Sequence, residues 1–204
     1  MSLDGFVAGP NSTLQEPLGA GGERLHEWVV RLASWRAPHG LEGGETGPDD
    51  DLFAGSLAST RAVVMGRNMF SGGAGPWEDD PRADGWWGDD PPFHAPVFVV
   101  THHEREPVEK AGGTSYTFVT DGIEAALDRA QEAAGDGDVL IAGGADVARQ
   151  ALAANRVDLL QLHLVPVLLG GGTRLFADGE QPQRLEQAQV VSSRDVTHLT
   201  YRPR

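Results

Sequence analysis

Asp138-Val-Leu-Ile-Ala-Gly-Gly-Ala-Asp-Val-Ala-Arg-Gln-Ala-Leu152 is the stretch from which the fold is read. The apolar run Val139–Ala142 stops at Gly143-Gly144, and a helix-forming segment begins at Ala145. Strand, glycine turn and helix in that order predict the building block of a parallel sheet. Two residues without side chains let a ligand come close to the backbone. The helix start behind them offers N–H groups without intrahelical partners and the positive end of the helix dipole, which suits a phosphate. Nucleotide cofactors are the commonest anions of that size. A glycine pair also occurs as a plain structural turn. The three spaced glycines and later acidic residue of the doubly wound dinucleotide fingerprint are missing here.

Working outward, Ala62–Met65, Val97–Val100 and Ser115–Val119 are short runs rich in β-branched and aromatic residues, and predict buried strands. Helices are expected over Gly122–Ala134, from Gly144 to near Asn155, and over Asp50–Ala58. Leu25–Trp35 carries Leu25, Trp28, Val29 and Leu32 at helical spacing and predicts an amphipathic helix. Leu159–Val167 reads as a long strand, and Gln189–Asp195 with Thr197–Tyr201 as a terminal hairpin. The fold class is therefore α/β, with a mixed, mostly parallel central sheet and an antiparallel C-terminal hairpin. No repeat or interdomain linker is visible, so residues 1–204 are read as one domain.

Composition narrows the function. The chain has 204 residues, 40% of them hydrophobic, which is enough for a substantial core. It has no cysteine, which removes disulfides, thiolate nucleophiles and cysteine–zinc sites. The formal net charge of −14 argues against a nucleic-acid partner, because phosphate backbones need clustered cations. The same field repels any phosphorylated cofactor, so local donors must hold it, and only 16 Lys and Arg are available. No apolar run approaches the roughly 18 residues of a membrane span, and no signal-like N-terminus is present. A soluble cytoplasmic protein with a small-molecule substrate is expected.

Two segments are poor in regular structure, Ala37–Asp51 and Ser71–Pro96. The second is acidic yet holds Trp77, Trp86, Trp87 and Phe93, which a solvated loop would not need. These rings either wall a ligand cleft or pack on the protein's own surface.

Three further clusters carry chemistry. Asp4, followed by Gly5, is either a turn-capping carboxylate or an acid beside a substrate. Gly66, Arg67 and Asn68 follow a strand and open a helix, where a guanidinium can join helix N–H groups on one phosphate. In so acidic a chain, Arg67 is equally able to pair with a nearby acid. Thr101 and His102 lie at the mouth of the Val97–Val100 strand and could meet a phosphate or a purine. A metal at His102-His103-Glu104 is disfavoured, since neighbours on an extended chain point to opposite faces. Gly66, Thr101 and Gly143 all lie just past the carboxyl ends of strands expected to be parallel, the edge where open α/β sheets bind ligands.

Ser2-Leu-Asp-Gly5, Val64-Met-Gly-Arg67, Val99-Val-Thr-His102, Ala142-Gly-Gly-Ala145 and Val165-Pro-Val-Leu-Leu-Gly-Gly-Gly172 resemble motifs of the dihydrofolate reductase-like family. The closer resemblance is to its branch containing the C-terminal reductase domain of bifunctional riboflavin-pathway deaminase–reductases. It implies an NADPH-dependent reductase with an eight-stranded, mostly parallel sheet. Gly66, Arg67 and Asn68 would meet the adenosine-side phosphates, Thr101 and His102 the region of the 2′-phosphate, and Gly143, Gly144 and Ala145 the pyrophosphate. Asp4 would lie by the substrate and nicotinamide, and is expected to be the catalytic residue; Phe6 and Trp77 are read as substrate residues. Relatives carry a strand before the Ser-Leu-Asp-Gly motif, so a shortened N-terminus is expected. They also tend to have Lys or Arg where Phe6 stands, which leaves a phosphorylated ribose substrate poorly served.

The leading expectation is an NADPH-dependent reductase of a small flat electrophile. The alternatives are the riboflavin-pathway reduction of a ribosylaminopyrimidine, and a nucleotide-binding protein without chemistry. A homodimer through Leu159–Val167 and the hairpin is a further expectation.

Overall fold

The computed structural model describes residues 1–73, 75–176 and 183–204. In chain order its elements are β1 (Phe6–Ala8), α1 (Ala33–Arg36), α2 (Pro48–Ser59), β2 (Thr60–Gly66), α3 (Arg67–Phe70), β3 (Pro96–Val100), β4 (Val108–Glu109), β5 (Ser115–Val119), α4 (Ile123–Ala134), β6 (Asp138–Gly143), α5 (Ala145–Ala153), β7 (Leu160–Leu164), β8 (Thr173–Arg174), β9 (Leu185–Ser192) and β10 (Thr197–Pro203). They fall into two compact units, one of Ala58–Ala154 and one of Met1–Leu57 with Asn155–Arg204.

The Ala58–Ala154 unit is built on a sheet of order β4-β5-β3-β2-β6. β6, β2, β3 and β5 run parallel, and β4 is antiparallel to β5. The mixed, mostly parallel sheet expected from the sequence is therefore present. Its central strands are apolar on successive residues because both faces are buried. On one face Val63, Met65, Val97 and Val99, two residues apart, pack with Phe70, Tyr116 and Phe118. On α4 the buried positions Ile123, Ala126, Leu127, Ala130 and Ala134 form one stripe, whose alanines let the helix lie close on β2 and β3. α5 packs on β6 and likewise buries Val147, Ala151 and Leu152.

In the other unit β7, β10 and β9 form a separate antiparallel sheet, and β1 pairs with β8 in a two-stranded ribbon. The single eight-stranded sheet implied by the resemblance is thus not one continuous hydrogen-bonded ladder among the described residues. The C-terminal hairpin pairs with β7 instead of joining the parallel strands. β7 is also shorter than the expected strand. It ends at Leu164, just before Val165-Pro166, because proline supplies no N–H to a ladder.

Leu25–Trp35 departs from expectation as well. It is not one helix but two 3-10 turns, Gly22–Leu25 and Val29–Arg31, followed by α1. Leu32 is extended (φ −68°, ψ 143°), and the backbone there bonds to Glu45 on both sides: Ala33 N–H donates to Glu45 O and Glu45 N–H to Arg31 O. Gly44 makes that approach possible, since a β-carbon there would lie 2.5 Å from Ala33 Cα. The apolar residues still do what their spacing predicts. Leu25, Trp28, Val29 and Leu32 are buried with Val165 and Val196.

This unit also buries His198 and half-buries His163. His163 and His198 face each other across the β7–β10 ladder with their Nδ1 atoms 2.7 Å apart, and His198 Nε2 lies 3.0 Å from Asp49 Oδ1. The Trp28 ring sits 5.0 Å from each imidazole. Burial pushes the His163 pKa down to about 4, helped by the neighbouring His198. The unfolded chain takes up that proton near pH 6.5, whereas the folded chain resists it until about pH 4. Stability is therefore expected to be fully present above pH 6.5 and to fall by up to about 3 kcal/mol as the pH drops to 4. Urea unfolding across that range checks this, and His163→Gln should flatten the slope.

Candidate functional site

The carboxyl edge of the parallel sheet gathers most of the residues singled out in the sequence. β2 pairs Gly66 with Val100 of β3 on one side and Met65 with Gly143 of β6 on the other. A β-carbon at Gly66 would lie 3.9 Å from both Gly143 O and Gly144 N, and 2.9 Å from Val147 Cγ2. The end of β2 and the glycine turn before α5 thus abut. Thr101, directly after β3, lies at the same edge.

The glycine turn is open. Gly143 has φ 109°, a backbone conformation that residues with a β-carbon rarely adopt, and the Gly143–Gly144 peptide is cis. A β-carbon on either glycine would meet no other atom within 4 Å, so the space above them is free. Gly144 caps α5 without any side-chain hydrogen bond, which leaves the first-turn N–H groups from Ala145 onward for other acceptors. Asp146, in that first turn, holds Gln150 and Arg149 at its carboxylate.

Arg67 is placed differently from the guanidinium fork expected for a phosphate. It is buried, 7% exposed, and paired with Asp80, whose side chain is only 2% exposed. Its Nε–H donates to Ser71 Oγ at 2.9 Å, and Ser71 Oγ–H donates to the same Asp80 oxygen at 2.6 Å. Trp77 covers the guanidinium, with Arg67 Cζ 3.2 Å from the ring centroid. Burial works against an ionised Asp80, but hydrogen bonds from Ser71 and Arg67 and the N–H of Arg82 outweigh it, so its pKa lies below the usual carboxylate value. One nitrogen remains: Arg67 Nη1 is buried without a hydrogen-bond partner. α3 is a single turn, and Asn68 on it is exposed.

Trp77 packs on its own protein. Its ring lies 4.7 Å from that of Phe118, and its Nε1–H donates to His103 O at 3.0 Å. Arg105 approaches the same ring at 4.9 Å. Thr101 is buried, and its Oγ1 accepts from His103 N–H, holding the 101–103 turn. His102 is exposed at the strand mouth.

Asp4 and Phe6 belong to the other unit. Both Asp4 carboxylate oxygens are used, accepting from Leu169 N–H at 3.2 Å and Gly170 N–H at 2.7 Å. Asp4 thus caps the turn at the start of the Gly170–Gly172 run. Phe6 is buried, and the Arg174 guanidinium lies 4.6 Å from its ring centroid. Sequence reading missed Asp80 and Ser71. Their link to Arg67 spans a loop in which one acid among many carries no distinguishing pattern.

A mostly parallel sheet whose carboxyl edge carries a glycine turn opening a helix defines an α/β protein with a candidate ligand site at that edge. The chain belongs to the family of RibD C-terminal domains, whose model matches residues 1–199. Among solved structures, a Shewanella sp. PV-4 protein named for riboflavin biosynthesis is 19% identical with a TM-score of 0.64, over 100% of this chain and 95% of that one. The Thermotoga maritima diaminohydroxyphosphoribosylaminopyrimidine deaminase/5-amino-6-(5-phosphoribosylamino)uracil reductase is 14% identical with a TM-score of 0.56, over 99% of this chain and 54% of that one. Acinetobacter baumannii RibD is 17% identical with a TM-score of 0.54, over 100% of this chain and 55% of that one. The chain therefore spans about half the length of these last two relatives. No match was found among curated proteins. Among the described residues, no helix is long and apolar enough to cross a membrane.

Asp4 has its pKa lowered to about 2, first by a hydrogen bond with the Ser2 side chain and then by the N–H groups of Gly170 and Leu169. It is expected to stay ionised through the neutral range and to titrate near pH 2, releasing the 169–170 turn below that pH. Carboxyl carbon-13 chemical shifts followed against pH check this directly. A midpoint near 4 or above would show that the turn does not hold the charged form.

Proposed function

We propose that the protein is an NADPH-dependent reductase that passes hydride to a small flat electrophile, working as one domain of its family. The observation that carries this reading is the meeting of Gly66 with the open Gly143–Gly144 turn at one sheet edge. Two features support a dinucleotide there. The free space over both glycines suits a pyrophosphate against the backbone and the α5 start. The unpartnered Arg67 Nη1 is a buried donor in want of an acceptor, and a phosphate oxygen is the natural one.

In this reading Gly143, Gly144 and Ala145 hold the pyrophosphate. Gly66, Arg67, Asn68, Thr101 and His102 serve the adenosine side. A bound nicotinamide supplies the hydride, while the chain contributes placement and electrostatics. Asp4, held ionised, acts as a positioning residue that fixes the 169–170 turn, and the proton for the reduced product comes from another source. Trp77, which lies against the Arg67 guanidinium, goes with the adenosine side in this reading, and Phe6 is kept as a substrate-side residue.

One observation favours the riboflavin-pathway alternative, reduction of a 5-amino-6-(5-phosphoribosylamino)uracil. Arg174 stacks on Phe6, so a cation stands beside the Ser2–Gly5 motif although Phe6 itself carries none. The protein is also read as a homodimer through the β7–β10–β9 sheet. There Leu162, Leu199 and Val190 stand side by side in register. Light scattering should then give twice the monomer mass, and Leu199→Glu should reduce it to one.

The central test is an NADPH titration of the purified protein, followed by turnover with pterins, pyrimidines (the phosphoribosylaminopyrimidine included), quinones and imines. Saturable NADPH binding and consumption with at least one of these acceptors is expected. Gly143→Ala, which forces a β-carbon onto φ 109°, should weaken NADPH by about tenfold or more while the protein stays folded. Absence of NADPH binding to folded protein would sink the assignment. Binding without turnover of any acceptor would leave a nucleotide-binding protein without chemistry.

A further inference from the structure

The Arg67–Asp80 pair is the most buried ion pair among the described residues. Its position ties it to the proposed nucleotide site. Arg67 immediately follows Gly66, and Gly66 abuts the Gly143–Gly144 turn. Three contacts define what Arg67 can still do. Nη2 is occupied by Asp80, Nε by Ser71 and the planar face by Trp77, so only Nη1 lacks a partner.

We propose that Asp80 sets how strongly this protein discriminates between dinucleotides with and without a 2′-phosphate. The inference rests on the nicotinamide-nucleotide reading given above. A free guanidinium meets a phosphate with two parallel charge-assisted hydrogen bonds. Here Asp80 removes one edge of that fork and cancels much of its charge at contact distance. Ser71 and Trp77 hold the guanidinium plane so that it cannot turn to offer the edge again. What remains is the buried Nη1 amino group next to a carboxylate. Such a group donates almost alike to a hydroxyl or a phosphate oxygen, and the fixed negative charge of Asp80 repels a dianion arriving beside it. Asp80 thus acts through Arg67, as a positioning and specificity-determining residue. The chain's net charge of −14 offers no compensating attraction from a distance.

The test measures NADPH and NADH affinities, by calorimetry, for the full chain and for Asp80→Asn. The amide keeps an oxygen to accept from Arg67 but removes the charge. For the wild type the two affinities are expected within about tenfold of each other, and the Asn variant should raise the NADPH:NADH ratio by about tenfold or more with NADH little changed. A merely structural role would move both nucleotides together and leave the ratio alone. Circular dichroism establishes that the variant is folded, since an unpaired buried guanidinium strains the loop. Should it not fold, the wild type alone decides, by competition between 2′,5′-ADP and 5′-ADP. Comparable inhibition supports the proposal. A wild-type preference for the 2′-phosphate above about a hundredfold overturns it, as does an unmoved ratio in a folded Asn variant that binds both nucleotides. If neither nucleotide binds the wild type, the reductase reading itself fails and this inference falls with it. Retained binding of both nucleotides with the ratio unmoved sinks only the role of Asp80.

Discussion

The pairing of β2 with β6 on one side and β3 on the other is the constraint on which the candidate site depends. Parallel strands share a direction, so their carboxyl ends reach the same edge together. That geometry sets Gly66, Thr101 and Gly143 in a row even though they are far apart in sequence. The burial of both sheet faces makes the register hard to slip. A shift of one residue would turn Val63, Met65, Val97 and Val99 out of the cluster with Phe70, Tyr116 and Phe118. The same core therefore holds the strand ends that a ligand would meet.

Much of this was legible in the sequence for a physical reason. Short apolar runs rich in β-branched and aromatic residues predict buried strands, and β2, β3, β5 and β6 are such runs, β2 and β6 ending in glycine. The stripe on α4 was equally plain. β1, β4 and β8 were not, because strands of two or three residues are too short to show alternation. The break in Leu25–Trp35 was hidden for another reason. Its apolar spacing is helical, and the interruption comes from the Gly44–Glu45 backbone, which no local pattern reports. The separate ladder formed by the hairpin reflects long-range pairing with β7, again beyond local signals.

The site residues divide along the same line. The Gly143–Gly144 turn could be read because a missing side chain is a local property. Arg67 could be read only as a choice between a phosphate and a nearby acid, and the choice turned on Asp80, a residue of a loop crowded with carboxylates. Asp4 posed the same kind of choice, and here its oxygens are engaged by Leu169 and Gly170. In a chain this acidic, the partner of each cation is decided by three-dimensional packing rather than by spacing along the chain. Buried polar groups then become informative in themselves, since an unmatched donor such as Arg67 Nη1 stands out against a background of satisfied ones.

The Arg67 guanidinium sits over the Trp77 indole, 3.2 Å from the ring centre. A stacked cation alters the electric field across an indole, and the emission colour of tryptophan follows that field. Any molecule that settles against Arg67 therefore changes the light this ring gives back, so the protein carries its own optical gauge for events at the strand ends.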